Sequence, residues 1–398
     1  MSVSSYHGGR RPTPTLSLTI PSLHDGTPLD CRLYHPVSLQ DGSASSSDTR
    51  GSPWRGDAAV VAHPYAPMGG CYDDAIVEAI VVQLLDAGFL VGTFNFRGAA
   101  HSAGKTSWTA RPERDDYASF VAFLAHYAAR IQDPPQEAIF LMSGYSYGAM
   151  VTTQLAPLDS LLEPLVAPLR GSNAAEIRLR AEQLALQAGM TMSRSSVCVK
   201  RIGGDDQRRR KSCDGASFFS EHHHCHRRLP RGVYDLFART RPRRCQNERG
   251  RRRWMLRATV DEDDGDDEGE MTRAKSAPPP MTPTSPSRRP RAAYLLVSPL
   301  QGIASRLATL SSSSSSSSTG HLTTNPSLAI YAGRDALVPA AKVRSWASRL
   351  AAAPGSQFRA LEVARAGHFW TETGALAEVE AAVASFATGL TRQSDGVP

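Results

Sequence analysis

Ala138-Ile139-Phe140-Leu141-Met142-Ser143-Gly144-Tyr145-Ser146-Tyr147-Gly148-Ala149 is the stretch that decides the fold. Five apolar residues in a row, 138–142, read as a strand buried on both faces. Residues 149–155 then take up a helical pattern, so the chain turns from strand to helix within a few residues. Ser146 sits at that corner with a glycine two residues away on either side. Such a corner lifts a serine hydroxyl out of the end of a sheet, and the flanking glycines give the close-packed turn its room. The five-residue pattern alone also fits a tight turn with no chemistry. Its weight comes from the strand before it and the helix after it.

Working outward, the same alternation recurs on both sides. Residues 16–20 and 29–34 alternate apolar and polar side chains around the turn signal Gly26-Thr27-Pro28, which predicts an opening hairpin with one face half exposed. Residues 38–55, rich in Ser, Gly and Asp, are expected to form a loop. An unbroken apolar run at 58–62 predicts a buried strand ending at His63-Pro64. A helix over 74–87 follows, closed by Gly88, and then a strand over 89–96 and a second amphipathic helix over 115–130. Beyond the nucleophile corner the predicted strands are 293–297, 327–331 and 358–363, with helices at 343–353 and 376–386. Strands alternating with helices imply parallel pairing and right-handed crossovers. The expected fold class is therefore α/β: a mostly parallel central sheet flanked by helices, carrying a long, partly disordered insertion.

The 398 residues exceed what one such domain of roughly 250 residues needs. The division expected is a flexible N-terminus at 1–15, an N-terminal half of the core at 16–158, a Leu- and Ala-rich helical insertion at 159–192, a disordered charged and Pro-rich insertion at 193–291, and a C-terminal half of the core at 292–390 that includes the serine tract 311–318 as a loop. The net charge of +7 arises largely in the fourth of these, from Arg208-Arg209-Arg210-Lys211 to Arg251-Arg252-Arg253, and an acidic run at 261–268 follows directly. Opposite blocks of this kind read as a solvated tract rather than a nucleic-acid surface. Nucleic-acid binding, a nuclear-import signal and docking of a protein partner are the alternatives for this segment.

No run approaches the roughly 18 apolar residues of a membrane span, and the N-terminus lacks the apolar core of a signal peptide. The six cysteines are scattered without CxxC spacing. A cytoplasmic location is expected, with the nucleus as the alternative. The cluster His222-His223-His224-Cys225-His226 lacks a second ligand pair at zinc-finger spacing, so no metal site is assigned to it.

A serine hydroxyl is a poor nucleophile at neutral pH. It needs a base, a group that orients the base, and donors for the oxyanion that forms. Asp335, in Tyr331-Ala332-Gly333-Arg334-Asp335, stands where the next-to-last predicted strand ends, and His368, in Ala366-Gly367-His368-Phe369, where the last one ends. The chain order Ser146, Asp335, His368 is that of the strand-corner hydrolases and differs from the order in the two large serine-protease folds. A turn aspartate and a structurally held histidine are the plainer alternatives. The backbone amide of Tyr147 is the expected first oxyanion donor. Tyr65 is favoured as the second, since prolines at 64 and 67 have no N–H, with Ala66 as the alternative.

These pieces together, with Asn95-Phe96-Arg97-Gly98 and Gly69-Gly70, resemble the α/β-hydrolase superfamily and within it the dienelactone-hydrolase and prolyl-oligopeptidase-like esterase group. The resemblance spans residues 58–158 and 292–388. It implies a serine acylated by an ester or amide carbonyl and released by water, with Ser146, His368 and Asp335 as nucleophile, base and orienting acid. It also implies a small ester or acyl substrate and no metal or organic cofactor. Thioester or peptide cleavage on the same three residues, and a non-catalytic interaction protein on the same fold, are the alternatives.

Overall fold

The computed structural model describes residues 11–40, 54–132, 137–192, 200–202, 289–301 and 319–393. A nine-stranded sheet runs through them. In chain order its strands are β1 (Leu16–Pro21), β2 (Pro28–Tyr34), β3 (Ala58–Ala62), β4 (Leu90–Phe94), β5 (Ile139–Tyr145), β6 (Lys200–Ile202), β7 (Arg291–Val297), β8 (Ser327–Ala332) and β9 (Phe358–Val363). Across the sheet they lie in the order β6-β1-β2-β4-β3-β5-β7-β8-β9. Six of the pairings, β4–β3, β3–β5, β5–β7, β7–β8, β8–β9 and β1–β6, are parallel, while β1–β2 and β2–β4 are antiparallel.

Helices cover both faces, which is why the central strands are apolar throughout rather than alternating. On β3, Ala58, Val60 and Ala62 join one buried cluster while Ala59 and Val61 join the other. The first cluster takes in α3 (Arg111–Ile131), α4 (Tyr147–Thr152), α5 (Leu158–Leu162), α6 (Asn173–Met192) and α8 (Ala340–Ala351). The second is covered by α2 (Ala75–Asp86) and α9 (Ala375–Gln393). Two short helices, α1 (Val37–Gln40) and α7 (Gly320–Thr324), complete the set among the described residues.

Most predicted elements are present, and the departures have local causes. The opening hairpin forms, but β2 is not half exposed: it is an inner strand between β1 and β4, with Cys31 and Leu33 in one core cluster and Tyr34 in the other. Helix α3 begins at Arg111 rather than at 115, because Pro112 in the first turn has no amide hydrogen to leave unpaired there. The expected loop at 38–55 opens with the single turn α1, and residues 41–53 lie outside the described residues. Residues 203–288 also lie outside them, and with them most of the expected disordered insertion, its charged blocks and the histidine cluster. Within that expected insertion, Lys200–Ile202 is a strand added in parallel to β1. Residues 1–10, 302–318 and 394–398, which include the serine tract, are likewise outside.

The expected helical piece is α5 and α6. Helix α6 buries Ile177, Ala181, Leu184 and Ala185 in the first core cluster, where α3 also packs. Its Glu182 takes hydrogen bonds from Arg130 (2.7 Å) and Arg178 (3.1 Å) and meets His126 at 3.2 Å. No helix among the described residues is long and apolar enough to cross a membrane.

Candidate active site

The corner at Ser146 is built by exclusion. A Cβ on Gly144 would stand 2.3 Å from the Gly148 carbonyl carbon, and one on Gly148 would stand 2.4 Å from the Ala62 carbonyl oxygen of β3. Backbone cannot yield to such contacts as a flexible side chain can, so both positions require glycine. Between them Ser146 is held at φ 55°, ψ −111°, a conformation rare for a residue with a side chain. The sheet sustains it, since the Ser146 amide donates to the Val297 carbonyl of β7 (2.8 Å), one bond beyond the β5–β7 ladder.

At this corner the structure brings together three of the side chains singled out in the sequence. Ser146 Oγ lies 2.8 Å from His368 Nε2, and His368 Nδ1 lies 2.7 Å from Asp335 Oδ2. Each comes from the turn after a parallel strand: Ser146 after β5, Asp335 after β8, His368 after β9. The carboxylate's other oxygen, Oδ1, accepts the Leu337 and Val338 amides, both at 2.8 Å. With the negative charge of Asp335 so held, Nδ1 of His368 carries the proton and donates it, which leaves the Nε2 lone pair toward the serine hydroxyl. The group is withdrawn from water: Ser146 is 6% exposed, and the His368 and Asp335 side chains are 2% and 4% exposed.

The turns carrying acid and base are tied to one another, with the Gly333 amide donating to the Val363 carbonyl and the Arg334 amide to the Ala366 carbonyl, both at 2.9 Å. Two neighbours of His368 had no signal in the sequence that tied them to it. Tyr145, the last residue of β5, donates its hydroxyl to the His368 carbonyl (2.9 Å) and stacks its ring beside the imidazole, with centroids 5.9 Å apart. Asp74 caps α2 through Oδ1, accepting the Ile76 amide at 2.9 Å. Burial pushes its carboxyl above the ordinary value, against the pull of those helix amides and of His368. An aspartate before an apolar helix is a readable cap signal, but its approach to His368 is purely tertiary.

The two expected oxyanion residues lie side by side. Tyr65 precedes a short 3₁₀ turn, Ala66–Met68, and its ring lies 5.2 Å from that of Tyr147. The Tyr147 ring also meets Phe96 edge-on at 5.7 Å. Behind this pair, His63 is wholly buried, its Nδ1 2.6 Å from the Pro64 carbonyl and its Nε2 accepting the Phe96 amide at 2.9 Å. That bonding holds the loop on which Tyr65 sits. Arg97 ties the neighbouring loop to α3 and to the β1–β2 turn through Asp116 (2.6 Å) and Asp25 (2.7 Å).

Comparison with solved structures finds similar chains of low identity. They include an α/β serine hydrolase homologue from Coxiella burnetii (12% identical, covering 93% of this chain and 95% of that one, TM-score 0.42). Another is an α/β serine hydrolase without a lid from Xanthomonas campestris (14%, 97% and 99%, TM-score 0.43). A third is the esterase Est1E from Butyrivibrio proteoclasticus with ferulic acid bound (12%, 94% and 99%, TM-score 0.43). No curated protein matches the chain. A family model described as X-Pro dipeptidyl-peptidase (S15 family) matches residues 2–240, a stretch that contains Ser146 and ends before Asp335 and His368. The chain is a serine hydrolase of the α/β-hydrolase superfamily and belongs to the X-Pro dipeptidyl-peptidase (S15) family.

Proposed function

We propose that the protein hydrolyses carboxylic esters of small molecules through an acyl-enzyme on Ser146, with His368 as the base and Asp335 orienting it. The observation that carries this reading is the buried relay of hydrogen bonds from Ser146 Oγ to His368 Nε2 (2.8 Å) and from His368 Nδ1 to Asp335 Oδ2 (2.7 Å). His368 takes the hydroxyl proton as Oγ adds to the ester carbonyl, and Asp335 stabilises the imidazolium that results. The tetrahedral oxyanion accepts the amide hydrogens of Tyr147 and Tyr65. His368 returns its proton to the departing alcohol oxygen as the C–O bond breaks. Water then adds to the acyl-enzyme by the same route, giving the carboxylic acid and free Ser146.

The reaction needs only groups that the chain itself carries. The family match favours a second reading, cleavage of a peptide bond on the same three residues, in which His368 protonates an amine instead of an alcohol. A fluorophosphonate probe and a panel of chromogenic esters and X-Pro anilides test both. The probe is expected to label the wild type and not Ser146→Ala, which also loses about 10⁴-fold or more in turnover while remaining folded. Folded wild-type protein that is never labelled would exclude a serine hydrolase acting through Ser146. Turnover of the anilides with the esters left intact would select the peptidase.

A further inference from the structure

His368 starts from the far side of the molecule's working edge. Strand β9 is three places from β5 in the sheet, about 14 Å at ~4.8 Å per strand, and the turn after it must reach back over β8 and β7 to bring Nε2 against Ser146. Asp335 fixes one ring nitrogen but not the backbone from which the ring hangs. Besides the backbone bond from the Arg334 amide to the Ala366 carbonyl, two side-chain contacts do that. Trp370, two residues on, stands at φ 56° and is 3% exposed, its indole N–H donating to Ser298 Oγ (3.1 Å) at the end of β7. Tyr145 donates its hydroxyl to the His368 carbonyl and lays its ring along the imidazole at an interplanar angle of 30°.

We propose that Tyr145 is a positioning residue that holds His368 in register with Ser146, the nucleophile's own strand thereby carrying the clamp for its base. Tyr145 is one peptide bond from Ser146, so any shift of the corner moves serine and clamp together, and the Oγ to Nε2 separation is set by a rigid local link rather than across three strands. Burial, with Asp74 and Asp335 near by, pushes the Tyr145 phenol well above its ordinary value, so the group remains a proton donor throughout the working range of pH. The Ser298–Trp370 bond restrains the other end of the same turn. The proposal rests on the hydrolase reading, and its test is arranged to fail separately from it.

In the full chain, Tyr145→Phe keeps the stacked ring and removes the donor, and Tyr145→Leu removes both. With a chromogenic ester, Tyr145→Phe is expected to lower kcat about tenfold and to leave KM within about twofold, the loss of one well-aligned buried hydrogen bond. Tyr145→Leu should fall several-fold further. The far-downfield proton resonance of the His368 Nδ1–H shared with Asp335 should broaden or shift in both variants, a change that a purely structural role would not produce. Wild-type kcat together with an unchanged resonance in Tyr145→Phe would overturn the clamp. Should Tyr145→Phe not fold, 3-fluorotyrosine at position 145 carries the test: it keeps ring and hydroxyl but alters the strength of the donor, so the Nδ1–H resonance is expected to shift, and an unchanged resonance with unchanged kcat counts against the clamp. If the wild type is not labelled at Ser146 by a fluorophosphonate, the hydrolase reading fails, while the proton resonance still judges the clamp.

Discussion

The nucleophile corner and the base turn reach the same 2.8 Å contact by opposite means. Around Ser146 the determinants are backbone sterics: Gly144 is required by the corner itself and Gly148 by the adjacent strand β3, at 2.3 and 2.4 Å, and the strained φ of Ser146 follows from the turn they permit. Around His368 almost nothing is local. Its ring is oriented by Asp335, its carbonyl is held by Tyr145, and the turn behind it is pinned by Trp370 on Ser298, so partners separated by up to 223 positions converge on one imidazole. A corner of the first kind fails through sterics and takes the fold with it. A turn of the second kind fails through loss of alignment and leaves the fold standing.

The contrast breaks most sharply at the acid. Asp335→Asn keeps the shape of the side chain but replaces an acceptor with a group that favours the wrong imidazole tautomer. A fall in kcat of about 10⁴-fold is expected with the melting temperature nearly unchanged, measured by ester turnover beside thermal denaturation. Retention of activity within tenfold would show that Asp335 does not orient the base.

On the other side, Gly148→Ala drives a methyl group into the backbone of β3. It is expected to cost about 3 kcal/mol or more of folding stability, read as loss of soluble protein or a lowered denaturation midpoint, whether or not Ser146 is present. A stable Gly148→Ala protein would mean that the corner relaxes readily.

The smallest effect, taken one ring at a time, comes from three buried histidines outside the relay. Burial holds the imidazoles of His35, His63 and His321 down at about 4. Between their ordinary value near 6.5 and about 4 the unfolded chain binds protons that the folded chain refuses, so stability is complete above the upper value and falls as pH drops through this window. Each should contribute a loss of about 2 kcal/mol between pH 7 and pH 5, measured by urea denaturation at the two values. His63 should matter fully because protonation would destroy the acceptor that its Nε2 offers to the Phe96 amide. A flat stability profile across that range would show that these rings accept protons in place.

Much of this molecule could be read from its residues in order. The strands β3 and β5 fall where unbroken apolar runs place them, because a strand buried by helices on both faces must be largely apolar, while the edge strand β9, exposed at Arg359, Ala360 and Leu361, shows only a mixed pattern. The three side chains of the relay were legible as well, since in a parallel sheet the turns at the carboxyl ends of strands share one edge, and Ser146, Asp335 and His368 each follow such a strand. What was not legible is also consistent. The three-residue strand β6 carries too few residues to show a period, and the full burial of β2 depends on its neighbours β1 and β4 rather than on its own pattern.

The sequence by itself determined the chemistry available: a serine in a glycine corner, with an aspartate and a histidine waiting at the ends of later strands. Only the tertiary structure decided how those groups are aimed. Tyr145, Trp370 and Ser298 carry no pattern that marks them, and the cap signal of Asp74 does not point to His368, because contacts between distant parts of the chain leave no period along it. Their contacts converge on the turn that carries His368, and exist only once the sheet is assembled.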